Sequence, residues 1–290
     1  MVSMNRLSTE RRAQVIGCLV EGMSIRATVR VTGVAKNTIV KLLCDLGQAC
    51  SEYQDAAFRN LNCSVVECDE IWSFCYAKQK NVPTEHQGTF GYGDIWTWTA
   101  IDADTKLVPS WLVGERTMAD CYTFLADLKS RLRNARIQLT TDGLGHYTRV
   151  VDGVWVDNID FAQLIKIYGG GPADTPERKY SPAECTGVEV KIIAGDPDPA
   201  RISTSYVERQ NLSMRMGMRR FTRLTNAFSK KVENLTHAVS LHFMYYNFCR
   251  THQSLTIKND DGTTTKRTPA MAAGIATYPW SLTQLAGLLD

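Results

Sequence analysis

The chain has 290 residues, 44% apolar and 22% charged, with a formal net charge of +3 at pH 7, an ordinary composition for a soluble globular protein. No run of about 18 or more apolar residues marks a membrane span, and the opening "MVSMNRLSTERRAQ" lacks the apolar core and cleavage site of a secretory leader. Nine cysteines, an odd number without a C-x-x-C pair, argue against a disulfide framework, so a cytoplasmic protein with no membrane association is expected.

Three short helices are predicted first. Ser8 caps one running to about Glu21, with Val15, Ile16, Leu19 and Val20 as its apolar face. Ser24 caps a second through about Thr32, Gly33 makes a tight turn, and a third runs from about Lys36 to Leu46, stopped by Gly47. Two helices joined by a Gly turn form the helix-turn-helix pattern. Ile39, Leu42 and Leu43 then face inward. Lys36, Asn37, Thr38 and Lys41 face outward near the start of the third helix, where base edges of DNA would lie. Thr28, Val29 and Thr32 occupy positions where a stricter motif carries apolar residues and alanine. The alternative is a trihelical module that touches protein only.

A β-rich block follows. Strands are predicted over 64–76, 93–105 and 106–116, an amphipathic helix over 118–133 with Tyr122, Leu125, Leu128 and Leu132 on one side, and a fourth strand over 136–143 ending at Asp142-Gly143. Strand, strand, strand, helix, strand is the order of a ribonuclease-H-like fold, an α/β fold with a mixed five-stranded sheet flanked by helices. Cys63, Cys68 and Cys75, with His86 beyond, match no usual zinc spacing and read as buried thiols. Residues 169–200 hold five of the nine prolines and read as an irregular insertion with one strand at 188–195. Ser203 or Ser205 caps a helix carrying Glu208, and a long helix over 229–250 places Val232, Leu235, Val239, Phe243 and Tyr246 on a core stripe. The expected divisions are a helix-turn-helix module over 1–50, a catalytic domain over 60–255, and a tail over 256–290.

Charge is unevenly spread. Residues 61–200 hold thirteen basic and twenty acidic side chains, whereas 201–258 hold ten basic and two acidic. Such a pairing suits a protein that grips a polyanion and also needs carboxylates in a working site. Three acids stand out by position: Asp69 in the first strand, Asp142 at the end of the fourth, Glu208 on the later helix. The first and fourth strands are neighbours in this sheet order and the helix packs across them. Converging carboxylates repel unless cations separate them. Hard oxygen ligands suit Mg²⁺ or Mn²⁺, and two such ions can clamp an in-line phosphoryl transfer. Glu67 points to the same strand face as Asp69, and Glu70 to the other. The segment "STSYVERQNLSMRMGMRRF" (203–221) puts Glu208 at the head of a basic run, Arg209, Arg215, Arg219, Arg220 and then Arg223, that can follow a phosphate backbone. Val207, Met214 and Met218 form its buried stripe. A surface ion pair of Glu208 with Arg209 or Arg215 is the competing reading.

These segments resemble bacterial and archaeal insertion-sequence transposases of the Asp-Asp-Glu class. The resemblance rests on "ECDEIWSF", "LTTDG", "ISTSYVERQNLSMRMGMRRFTRLTNAFSKK", "YYNFCRTHQSL", "TPAMAAG" and the N-terminal "SIRATVRVTGVAKNTIVKLL", and spans about residues 5–275. It implies a ribonuclease-H-like catalytic core and a metal-binding triad of Asp69, Asp142 and Glu208 holding Mg²⁺ or Mn²⁺, two ions in all. It also implies double-stranded DNA as partner, both terminal inverted repeats and target, and a homo-oligomer on that DNA. The separation of Asp142 from Glu208 exceeds that of the integrase branch, so an insertion must be accommodated. Other readings are a regulator that keeps the helix-turn-helix without catalysis, and a nuclease that cuts without joining.

Overall fold

The computed structural model describes residues 6–169, 185–222 and 227–290. Three helices open the chain: α1 (Thr9–Val20), α2 (Ile25–Thr32) and α3 (Lys36–Ala57). Ser8 and Ser24 cap α1 and α2 through backbone amides of Arg11 and Ala27, and Gly33 ends α2 in the left-handed region at φ 69°. Thr28 and Thr32 are buried, and their hydroxyls donate to the carbonyls of Ser24 and Thr28 at 3.1 and 2.7 Å. That back-bonding lets two threonines fill positions that favour apolar side chains.

The third helix does not stop at Gly47. It continues to Ala57, because Gly47 serves close packing rather than termination. A Cβ there would lie 2.5 Å from the Cβ and 2.7 Å from the carbonyl oxygen of His237. His237 belongs to α7 (Val232–Met244), and Ser240 of α7 donates to the Gly47 carbonyl at 2.7 Å. The boundary expected at residue 50 therefore falls inside a helix. Leu43, Leu46 and Cys50 of α3 join the same apolar core as the strands that follow.

Those strands are β1 (Val65–Cys75), β2 (Gly93–Asp102) and β3 (Ser110–Gly114), then α4 (Met118–Arg131), β4 (Gln138–Thr141), α5 (Gly145–Trp155), β5 (Asp160–Tyr168), β6 (Cys185–Ala194) and α6 (Ser205–Gly217). The sheet order is β3-β2-β1-β4-β5-β6. Pairing is antiparallel from β3 to β1, parallel from β1 to β5, and antiparallel again at β6. This mixed sheet is consistent with a ribonuclease-H-like core, with six strands where five were expected. The sixth covers the strand read at 188–195 as far as Ala194 and begins earlier, at Cys185. Neither α5 nor β5 was read from the sequence.

The pleat sorts the two faces. Glu70 pairs with Trp98, and Trp98 packs against Phe124 of α4 and Tyr147 of α5. Asp69 pairs with Thr99, and its side chain meets Asn211 of α6. Helices thus cover both sides. Within α4, Tyr122 is 48% exposed, while Cys121, Phe124, Leu125 and Leu128 are buried, so the inner stripe is rotated from the one expected. The long helix expected over 229–250 is seen as α7 followed without a break by a π-helical turn, Tyr245–Cys249. The expected tail folds back as a hairpin of β7 (His252–Lys258) and β8 (Thr264–Arg267), followed by α8 (Pro269–Ala272) and α9 (Leu282–Ala286). Leu285 and Ala286 are buried in the main core, and Asp290 pairs with the buried Arg12 of α1 at 2.5 Å. Cys63, Cys68 and Cys75 are buried free thiols, and among the described residues no metal-ligand group includes them.

Candidate active site

Parallel pairing of β1 with β4 sets Cys68 beside Thr141. The next residue on each strand is an aspartate, so Asp69 and Asp142 meet where β4 ends and the chain turns away. Ligand oxygens of Asp69, Glu70 and Asp142 all lie within 4.8 Å of one another. Glu208, on α6, lines the same cleft of about 560 Å³, together with Lys166 and Tyr168 of β5 and Asn211 and Arg215 of α6. Three acids separated by 73 and 66 residues in sequence thus share one solvent-accessible cleft.

Each carboxylate has a distinct holder. Asp69 accepts from its neighbour's amide, Glu70 N, at 2.8 Å and from Asn211 Nδ2 at 2.7 Å. Asp142 Oδ1 accepts from Leu144 N at 3.0 Å, an Asx-type turn that fixes the loop after β4. Glu208 Oε1 accepts from Thr204 Oγ1 at 2.7 Å, while Lys166 Nζ donates to its other oxygen. The Arg116 guanidinium lies 3.0 Å from Glu70 and 3.8 Å from Asp142, over the face of Trp96 at 4.5 Å.

Glu70 does turn to the opposite face from Asp69, as the pleat requires, yet its carboxylate still reaches Asp142 past the end of β4. Sequence alternation hid this, because it places side chains above or below a strand but not beyond a neighbour's end. Lys166 and Arg116 were likewise missed. Lys166 needed β5, whose signal was present in Phe161, Ile165 and Ile167. Arg116 sits just beyond β3 and offered no signal of its own.

Glu67 has another task. Its Oε2 accepts from the backbone amides of Tyr206 and Val207 at 2.8 and 3.0 Å. These are first-turn amides of α6, which lack partners within the helix. The helix N-cap is Thr204, whose hydroxyl is committed to Glu208 rather than to backbone. A buried glutamate from the central strand therefore shares the capping with Ser203, whose hydroxyl accepts from the Ser205 amide at 3.0 Å.

The electrostatics follow from crowding. Burial first, and then the charges of Asp142 and Glu208, push the Asp69 pKa up to about 7. Burial and Asp142 push Glu70 up to about 8. Among the described residues, the buried oxygens Glu70 Oε1 and Asn211 Oδ1 meet no hydrogen-bond donor in good geometry, although the Tyr147 hydroxyl is near enough to Glu70 to lower its pKa. Hard oxygen donors, excess negative charge and unsatisfied buried oxygens fit a hard divalent cation.

The residues expected on DNA are spread over several surfaces. Lys36, Asn37, Thr38 and Lys41 are exposed at the start of α3, with Lys41 paired to Asp45. The residues Ile39, Leu42 and Leu43 are buried. Arg209 is exposed on α6, away from the carboxylates, and Arg215 lines their cleft. The helix ends at Gly217, so Arg219 and Arg220 sit in a 3-10 turn. Arg219 is exposed, whereas Arg220 turns inward and donates from Nε to Ser229 at 2.8 Å. Burial holds the pKa of Arg220 below the usual guanidinium range, so it is a poor candidate for a phosphate contact. Arg223 lies outside the described residues. Val207, Met214 and Met218 form the buried stripe of this segment.

No protein-family model matches the chain, and no curated protein matches its sequence. Among solved structures, similarity is found to a Mos1 transpososome in its pre-cleavage state, at 14% identity and a TM-score of 0.24, over 56% of this chain and 61% of that one. The Mos1 strand transfer complex is similar at 12% identity and a TM-score of 0.24, over 84% of this chain and 77% of that one. Likeness at this level carries no argument about activity.

Proposed function

We propose that the protein is a DNA transposase of the Asp-Asp-Glu class, cutting and joining phosphodiester bonds at the ends of a mobile element. The observation that supports this reading is the shared cleft of Asp69, Asp142 and Glu208, contributed by a central strand, its parallel neighbour and a crossing helix. Asp69, Asp142 and Glu208 would hold Mg²⁺ or Mn²⁺, with Glu70 close enough to contribute. Bound there, the metal supplies charge stabilisation for the attacking and leaving oxygens of an in-line displacement.

The chain's own residues have definable parts. Asn211 orients Asp69, and Glu67 anchors the first turn of α6 so that Glu208 is presented at the cleft. Lys166 and Arg116 offset negative charge on Glu208, Glu70 and Asp142, which limits repulsion between the acids. Arg215, in the same cleft, is placed to meet the phosphate of a reacting strand. The outward face of α3, with Lys36, Asn37, Thr38 and Lys41, would read terminal-repeat sequence in a major groove.

The test is Glu208→Gln, which removes a ligating charge and keeps the shape. With Mg²⁺ and DNA carrying the element's ends, the parent should nick and join. The variant should lose both by at least a hundredfold, on the order of an electrostatic catalytic contribution, while its gel-shift affinity for DNA stays within a few-fold. Joining by the variant at the parent's rate would leave Glu208 as no more than the partner of Lys166.

A further inference from the structure

The helix that presents Glu208 has a second face with chemistry of its own. Residues 208, 211, 212 and 215 line the carboxylate cleft, whereas 206, 209, 210 and 213 line a separate cavity of about 660 Å³. Each set follows the i, i+3, i+4, i+7 spacing of one helical stripe. Starting points two residues apart are turned by about 200° around the axis. Helix α6 is therefore a partition: carboxylates on one side, this cavity on the other.

The second cavity is lined by Lys106, Arg209, Arg250 and His252 and, among the described residues, by no aspartate or glutamate. Among the described residues, none of the three permanent cations is in an ion pair. Lys106 is held in place with care. Its backbone is left-handed, at φ 61°, a region that a lysine rarely adopts. Its carbonyl accepts from the Tyr246 hydroxyl at 3.0 Å, and its ammonium lies 3.4 Å from the centre of the Tyr206 ring. The His252 ring stands edge-on to Tyr246, 4.7 Å between centres, and its buried Nε2 has no hydrogen-bond partner among the described residues. Burial, and then the charges of Arg250 and Lys106, push the His252 pKa down to about 4. Lys106 also feels the buried carboxylates of Glu67 and Asp102, but cations gathered round a concavity that, among the described residues, has no carboxylate in its own lining raise its positive potential, and backbone strain of this kind persists where the surroundings enforce it.

We propose that this cavity is a phosphate-binding site that holds a backbone phosphodiester of DNA on the face of α6 opposite the carboxylates. The preference for phosphate stands on the cavity alone: guanidinium forks, an ammonium and the hydroxyl of Thr251 are donors suited to a tetrahedral oxyanion. The assignment of that phosphate to DNA rests on the transposase reading. The same helix would then grip one part of a strand while presenting Glu208 to another.

Arg209 and Arg250 are both exposed, which makes them the safest probes. The full-length protein, the double variant Arg209→Gln/Arg250→Gln and the charge-keeping Arg209→Lys/Arg250→Lys should be compared by two measurements. The first is titration with inorganic phosphate, followed through the ring resonances of His252. The second is affinity for random-sequence duplex at several salt concentrations. The site predicts a saturable His252 response in the parent and the lysine variant but not in the glutamine variant. It also predicts a log–log salt slope flattened by about 0.9 in the glutamine pair, the value for one phosphate that is no longer neutralised. A silent His252 in the parent, or a glutamine variant with the parent's salt slope, overturns the proposal. Cleavage is scored separately. A parent that never cuts DNA but shows both responses keeps the phosphate site and loses the transposase reading.

Discussion

At Asp69 the cost of gathering acids is concentrated, and it carries a definite pH signature. Its pKa is pushed up to about 7 by burial and by Asp142 and Glu208, well above that of an exposed aspartate. In the metal-free protein the folded state thus holds a proton that the unfolded chain has released. Stability from this group falls as pH rises from about 4 towards 7 and stays lost above it, at about 1.4 kcal/mol per pKa unit. Asp69→Asn carries no such charge. Without metal, its melting temperature should gain on the parent as pH is raised from 5 to 8, and the difference should plateau above about 7. Adding Mg²⁺ at pH 8 should stabilise the parent by more than the variant, since only the parent gains a ligand charge. Melting curves in chelator and in Mg²⁺ across that range decide it. An unchanged parent–variant difference would show that Asp69 is not the crowded group the cleft makes it.

At the scale of elements, two contacts between distant segments hold the site's framework, and neither resembles a local propensity. Glu67 joins β1 to the first turn of α6 through two amides. Glu67→Leu strips those amides of their acceptor in a buried setting, and stability should drop by about 1–3 kcal/mol. Glu67→Gln keeps an acceptor oxygen and should recover part of that loss in urea titrations. Gly47 joins α3 to α7. In an exposed helix Gly→Ala gains about 1 kcal/mol, but here the new methyl meets His237 backbone at under 3 Å. Overpacking of about 1–3 kcal/mol should win, so Gly47→Ala should lower the urea midpoint. A raised midpoint would mean that α3 and α7 separate readily. These elements also show what the sequence could and could not disclose. Strands β1 to β4, helix α4 and the acids they carry were legible because alternation and turn residues are local signals. Gly47 read as a stop because a glycine in a helix looks the same whether it ends the helix or admits a neighbour. Glu67 read as a companion of Asp69 because nothing local announces a cap supplied from 139 residues away. Lys166 went unseen with β5, whose partners β4 and β6 fix it more firmly than its own pattern does.

Across the whole molecule, the acids gather where the middle of β1 passes the end of β4 and at the head of α6, while cations lie on α3, on α6 and in the turn after it. On the transposase reading proposed above, this arrangement would divide the labour of holding DNA. Base edges in the major groove carry sequence, and phosphates do not. Asn37, exposed at the start of α3, is the amide-bearing side chain suited to reading. Asn37→Ala should narrow the affinity gap between terminal-repeat and random duplex by about 1–3 kcal/mol, the worth of one good base contact, and leave the salt slope unchanged. Arg219, exposed in the turn after α6, should do the opposite: Arg219→Ala weakens both duplexes alike and flattens the slope by about 0.9. Arg220, one residue on, is the internal control. Its Nε is committed to Ser229 and its side chain is turned inward, so Arg220→Ala should lower the melting temperature without flattening the slope. A competition titration at several salt concentrations, run beside melting curves, separates the three. If Asn37→Ala kept the preference for terminal repeats while Arg219→Ala abolished it, recognition would belong to the segment after α6, and α3 would be a packing element whose polar face merely meets solvent.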